Sequence, residues 1–327
     1  MTAYIIRRAL LMVPMIIIIS MLTFAIIQAP PGDYLDSLIA QLASSGESIS
    51  NAQVEALRAR YGLGEPVWVQ YWHWVSHIVT EGDFGQSFEW NRPVSTMIWE
   101  RMGLTLVVSV TTLLFVWIVA LPIGVYSAVK QYSLGDYVFT FLGFIGLAVP
   151  SFLLALALMY GALVFFGQSA GGLFSPEYLD APWSWAKVLD LISHLWIPLI
   201  VIGMSHMAAL IRVMRANLLD ELYKPYVTTA RAKGMPEWRL LIAYPVRVAL
   251  NPFVSTIGWI LPSLVSSAII VSVVLNLPTT GPLLLKALLS QDMYLAGTII
   301  LLLSVLTVVG TLISDILLAW LDPRVRY

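Results

Sequence analysis

Ten consecutive residues, Tyr226-Val227-Thr228-Thr229-Ala230-Arg231-Ala232-Lys233-Gly234-Met235, carry the combination of types best suited to recognition in this chain. Arg231 and Lys233 offer charge-assisted hydrogen bonds to a protein partner or to lipid headgroups. Ala230, Ala232 and Gly234 are small, so another surface can approach the backbone between those charges. Pro225 suits the first turn of a helix, where its missing N–H is not needed. Gly234 suits the left-handed residue that ends one. Pro236 then opens a second helix over Glu237–Ala243, and Pro245 breaks it. The prediction is two short helices, Tyr226–Lys233 and Glu237–Ala243, joined by a tight turn. Trp238, Leu241 and Ile242 are expected to pack the second helix against the rest of the protein. An ordinary basic loop held to headgroups competes with this reading on composition alone.

Bond-making chemistry finds little material elsewhere. The chain of 327 residues has no cysteine, which removes disulfides, thiolate metal sites and cysteine nucleophiles together. Four histidines are too few for a convincing histidine metal cluster. No G-x-x-x-x-G-K-[ST] loop occurs to cradle phosphates, so the chain has no ATP site of that type. No H-E-x-x-H pair occurs, which argues against a membrane metallohydrolase of that type. A net charge of −1 gives no basic footprint for nucleic acid.

The elements that position the ten residues are set by composition. Apolar residues make up 59% of the chain and charged ones only 11%, against about 45–50% and about 25% in soluble domains. This is a membrane protein. Reading between charges gives the spans: Ala9–Ile27, Met102–Val129, a helix within Tyr137–Pro176 that ends near Phe166, and Leu191–Ile211. Val248 to about Leu275 follows, and Met293–Ser314 runs on towards Leu321. The expected fold is an all-α integral membrane protein with six transmembrane helices. With both termini cytoplasmic, the inside segments hold 12 basic residues and the outside ones 5, with Arg101 at a boundary. That is the positive-inside bias.

Three parts follow from this topology: 1–28, a first helix with a basic cytoplasmic start; 29–99, a periplasmic loop region; and 100–327, a five-helix core with the ten residues inside its loop 216–247. The first run is longer than the 7–15 residues of a signal-peptide core, so it reads as a retained helix. The large outer loop contains a helical stretch, Asn51–Arg60, and an aromatic run of Trp68, Tyr71, Trp72 and Trp74. That run reads as an interfacial belt, because tryptophan prefers headgroup depth. Ionisable residues lie outside the spans or near their ends. This argues against a stand-alone ion-coupled transporter or channel, which needs such groups near the midplane. Asp315, near the inner end of the last helix, is expected to pair with a basic group at the cytoplasmic boundary. His194 and His206 read as packed or interfacial.

At this point the chain resembles a known family. Tyr226–Met235 is similar to the coupling-loop motif of ATP-binding-cassette importer permeases, in the dipeptide and oligopeptide subgroup. The start, Tyr4-Ile5-Ile6-Arg7-Arg8, and Pro30-Pro31-Gly32-Asp33 after the first helix resemble that subgroup too. So do Tyr61-Gly62-Leu63, Pro66, Gln70-Tyr71, Gly82-Asp83-Phe84-Gly85-Gln86-Ser87 and Arg92-Pro93-Val94, in that order. Pro122-Ile123-Gly124, Val149-Pro150-Ser151-Phe152 and the ending Leu321-Asp322-Pro323-Arg324-Val325-Arg326-Tyr327 complete the set. Thr228 stands where the general motif has glutamate. The segment Val273–Gly281 lacks the glutamate and second aromatic usual there. The resemblance implies a permease subunit in a bacterial inner membrane, paired with a second homologous permease. It implies two cytoplasmic ATPase subunits that bind ATP and magnesium, and a periplasmic or lipid-anchored substrate-binding protein. It implies no cofactor in this chain. The coupling residues it implies are Tyr226, Thr228, Thr229, Ala230, Arg231, Ala232, Lys233 and Gly234. The implied cargo is small peptides or similarly sized oligomeric solutes, with oligosaccharide as the alternative.

Overall fold

The computed structural model describes residues 2–28, 65–87, 89–167, 171–290 and 292–321. The stretch at 51–60, read as helical, lies outside them, as does the ending 322–327. The first helix, α1, runs Thr2–Gln28 through Pro14, and most of its apolar side chains are exposed. Such a surface suits a lipid environment rather than water. α2 covers Val67–Glu81 and stops at Gly82, whose φ of 65° is left-handed. Two short antiparallel strands, β1 (Gln86–Ser87) and β2 (Arg92–Pro93), lead into α3, Val94–Val129.

The single helix expected to end near Phe166 is two. α4, Leu134–Ala148, begins at Ser133, whose hydroxyl accepts from Asp136 N at 3.3 Å. It ends because Pro150 forces Val149 out of the helical region, to ψ 124°. α5, Ser151–Phe166, then starts afresh and ends at Gly167 as expected. The two are bent by 110°. α6 spans Trp185–Leu222 without a break despite Pro198. At 38 residues it is about 57 Å long, nearly twice a ~30 Å hydrocarbon core. Two short helices follow, α7 (Pro225–Ala232) and α8 (Glu237–Ala243). The next apolar run, expected to be one helix from Val248 to about Leu275, is also two helices, α9 (Pro245–Ser255) and α10 (Ile257–Val274), parted at Thr256. α11 (Thr280–Leu289) and α12 (Met293–Leu321) close the order.

Among the described residues, four helices are long and apolar enough to cross a membrane, and the bent α4–α5 pair makes a fifth. The protein is mostly helical and multi-pass.

The chain divides into two compact units. One comprises residues 1–9, 104–281 and 306–327. Its core gathers Val116, Ile197, Leu210, Met214, Phe253, Ile260 and Leu264, with Trp117 set edge-on to Phe253 at 5.3 Å. α6 is its axis and packs against α4, α5, α9 and α10. Arg8 and Asp315 form an ion pair at 2.8 Å in this unit, the basic partner anticipated for Asp315. His206 is packed, as read: one ring nitrogen lies 3.0 Å from Ile202 O and the other 2.9 Å from Ser263 Oγ.

The second unit comprises residues 10–103 and 282–305. Here Trp74 is buried against Phe24, and Tyr71 Oη shares a 2.8 Å hydrogen bond with Ser20 Oγ. Only Trp68 and Trp72 remain exposed. Half of the expected aromatic belt is therefore helix packing, because residues three apart on α2 share the face that meets α1. In the same unit Ser87 donates to Asp292 Oδ2 at 2.5 Å, and Asp292 Oδ1 caps α12 by accepting from Leu295 N at 3.2 Å.

Candidate coupling site

The C-terminal turn of α6 leads through Tyr223 and Lys224 into α7, with Pro225 at its first position as the sequence predicts. The turn after α7 is built to a strict hydrogen-bond pattern. Gly234 N donates to Arg231 O at 3.0 Å and Met235 N to Ala230 O at 3.3 Å. This pairing of 5→2 and 6→1 bonds is the Schellman motif, with Gly234 at its left-handed residue. Its φ is 75°, and a Cβ built there meets nothing within 4 Å. The glycine is needed for backbone conformation, and the space around it is open.

Two apolar residues seat the hairpin, and the sequence reading gave neither of them that role. Val227 on α7 and Leu240 on α8 are fully buried. Trp238 and Ile242, expected to pack α8 down, are instead about two-thirds exposed. α8 has only seven residues, so the direction of one apolar side chain depends on how Pro236 starts the helix. Leu240 follows Arg239 directly, and its sequence signal is its place three residues after Glu237 in the first turn.

The candidate residues divide by what they touch. Thr228, Ala232, Lys233 and Gly234 are exposed, and Ala230 is half-buried beside them. Thr229 is exposed, but its hydroxyl turns back to Pro225 O at 2.9 Å. Tyr226 donates to Glu221 Oε2 at 2.5 Å and stacks at a tilt over Tyr244, 6.4 Å between ring centres. Burial, and then the Glu221 carboxylate, push its phenol above the ordinary tyrosine range.

Arg231 corrects the reading that it offers its charge outward. Its Nη2 and Nε grip the two oxygens of Glu237 at 2.5 and 3.1 Å, a bidentate strap from α7 to α8. The hydrogen bonds to Arg231 hold Glu237 below the usual carboxylate range, and Arg231 is raised in turn. Lys233 on the turn and Arg239 on α8 are exposed cations outside that strap. The geometry therefore presents a small-residue ridge beside Lys233, with α7 and α8 braced together by the Arg231–Glu237 strap. Such a surface can hold another protein; it has no groups placed for bond-making.

Residues 120–327 match the family described as binding-protein-dependent transport system inner membrane component, and residues 1–111 match its N-terminal membrane component. The chain belongs to that family. It is a multi-pass protein of the bacterial inner membrane. The oligopeptide transport system permease protein AppB of Bacillus subtilis (strain 168) is 36% identical, over the whole of both chains. The dipeptide transport system permease protein DppB of Alkalihalophilus pseudofirmus is 30% identical, again over the whole of both. The protein of the same name from Escherichia coli (strain K12) is 29% identical over all of this chain and 99% of its own length. Within this inner membrane component, the hairpin at 225–243 falls inside the matched 120–327 segment.

Proposed function

We propose that this chain is the transmembrane permease subunit of an ATP-driven, binding-protein-dependent importer of small peptides. One observation carries the reading: permeases named for oligopeptide and dipeptide transport align with this chain from end to end, at up to 36% identity among those named above. The same names favour peptide over oligosaccharide cargo.

In this reading the chain spans the membrane six times, with α4–α5 as one broken span and α9–α10 as another, and both termini are cytoplasmic. Residues 1–28, 29–99 and 100–327 are then a first span, a periplasmic region and a five-span core. A second homologous permease completes the pathway. Two cytoplasmic ATPase subunits bind ATP and magnesium, and a periplasmic or lipid-anchored binding protein delivers the peptide. Tyr226, Thr228, Thr229, Ala230, Arg231, Ala232, Lys233 and Gly234 form the hairpin that docks on an ATPase. Closure of the ATPases on ATP displaces the hairpin and biases the spans between two states, which is a shift in population driven by a ligand this chain does not itself bind.

The test is co-purification with the second permease, ATPases and binding protein encoded beside it, followed by reconstitution. Peptide-dependent ATP hydrolysis and uptake of labelled di- to pentapeptides are expected. Hydrolysis by this chain alone, or uptake without the ATPases, would remove the proposal. Reporter fusions after Glu89 and Lys224 check the topology, with periplasmic and cytoplasmic signals expected respectively.

A further inference from the structure

α6 and α4 meet along a seam with little to hold its register. A Cβ added to Gly143 would lie 3.3 Å from Ala208 Cβ, and one added to Gly146 would lie 2.5 Å from Met204 Cγ. Small residues let two helices approach this closely, and they leave few protrusions to stop one sliding along the other. At the end of the seam stands a charge pair. Arg215 Nη2 donates to Asp136 Oδ2 at 3.1 Å, where the Asp136 side chain is 5% exposed and that of Arg215 is 29% exposed. Tyr132 N also donates to Asp136 Oδ2, at 3.0 Å.

The three contacts are in one antiparallel register. From Asp136, Gly143 and Gly146 lie seven and ten residues on; from Arg215, Ala208 and Met204 lie seven and eleven residues back. The pair therefore adds a charge contact at the end of a seam otherwise built on close contacts at Gly143 and Gly146. Arg215 is also one residue from Met214, which closes against Gly124 of α3, with a Cβ there 2.7 Å from Met214 Cβ. Two turns further along α6 come Glu221, the acceptor for Tyr226, and then the hairpin itself.

We propose that Asp136 and Arg215 are positioning residues that lock α4 to α6, so that displacement of the 225–243 hairpin moves both helices as one body. The inference rests on the hairpin being the ATPase-docking element, and it adds the route by which its motion reaches the broken α4–α5 span. Without the lock, shear along the glycine seam absorbs the movement.

Neutralising either partner has unequal consequences. Asp136→Asn keeps an acceptor for Tyr132 N and leaves a partly solvated Arg215, so the fold tolerates it. Arg215→Gln leaves a carboxylate buried without its cation, so it endangers folding as well. The chain's lack of cysteine allows two to be introduced without background. Val138 on α4 and Tyr223 after α6 are both exposed and serve as spin-label sites.

The experiment uses the reconstituted importer carrying V138C and Y223C, with and without ATP and vanadate, and labelled alanine tripeptide and pentapeptide as cargo. The native pair is expected to give one label distance in both nucleotide states. Asp136→Asn is expected to make that distance nucleotide-dependent, and to lower peptide moved per ATP hydrolysed by about tenfold at unchanged membrane level. Arg215→Lys, which keeps the charge beside native Asp136, is expected to retain most of the ratio. A distance that already changes with nucleotide in the native pair overturns the lock. So does an Asp136→Asn variant with native distances and native peptide per ATP. Gly234→Val, measured alongside, separates the two readings. If it alone is normal, the docking role of the hairpin fails; if it is impaired while Asp136→Asn is native, only the lock fails.

Discussion

The hairpin at 225–243 and the segment at 86–93 are both short, irregular excursions, yet they are held in opposite ways. The second is tied down by buried polar groups: Ser87 and Asp292, fully buried, bond to each other, and Asp292 also caps α12 and accepts from Glu89 N at 3.4 Å. The hairpin is seated by two apolar side chains, Val227 and Leu240, while most of its polar groups face outward. Buried hydrogen-bonded carboxylates fix a segment, because breaking the contact strands a desolvated charge. A few apolar contacts leave a segment at the low-stability end, which is where moving and docking elements are found. The contrast teaches that one segment is pinned by buried polar bonds and the other is held by few apolar contacts.

The largest test of this contrast is Asp292→Ala. It removes the acceptor for Ser87 and the cap of α12, and is expected to cost about 4 kcal/mol, read as a drop in thermal midpoint of the detergent-purified protein. The peptide moved per ATP by the molecules that remain folded should be native. A stable Asp292→Ala protein would erase the distinction between the two segments.

Leu240→Ala comes next, at about 3 kcal/mol of lost packing beneath α8, which rests on both α7 and α9. Its expected readout is loss of ATPase subunits on purification, with the membrane level of this chain retained. Should global stability fall instead, the hairpin belongs to the cooperative core.

Gly234→Val strains the left-handed turn by about 1–2 kcal/mol without a clash. It is expected to reduce binding-protein-stimulated hydrolysis, with Gly234→Asn intermediate because asparagine tolerates this region better. Identical behaviour of the two variants would show that conformation at this turn is not what matters.

The smallest effect belongs to Glu237. Its carboxyl is held below the ordinary range in the folded state, so what the strap contributes is present above the unfolded value and is lost as pH falls through the folded one. Both partners are exposed and salt-screened, so Glu237→Gln is expected to shift the thermal midpoint only slightly at pH 7 and not at all at acid pH. A larger shift in acid than at neutrality would invert the assignment.

Much of this was legible beforehand because the signals are local. Pro225, Gly234, Pro236 and Pro245 set backbone conformation within a turn, and the structure places helix starts and a Schellman end where they point. The apolar runs likewise mark membrane helices, since a bilayer accepts little else. Pro150 lies in the sequence as plainly, yet its run reads as one helix, because hydropathy cannot report a 110° bend.

What the sequence by itself determined is the class, and the location of the hairpin with the helix punctuation around it, all set by interactions within a few residues or with a uniform solvent. Only the tertiary structure decided which side chains the hairpin buries and which it shows. Leu240 rather than Trp238 faces inward, and Arg231 spends its charge on Glu237, because those outcomes depend on the angle between two helices. It decided equally that Asp315 meets Arg8 across 307 residues and Asp136 meets Arg215 across 79. A charge in a sparsely charged chain must find a partner when it is buried, but which one it finds is a matter of packing.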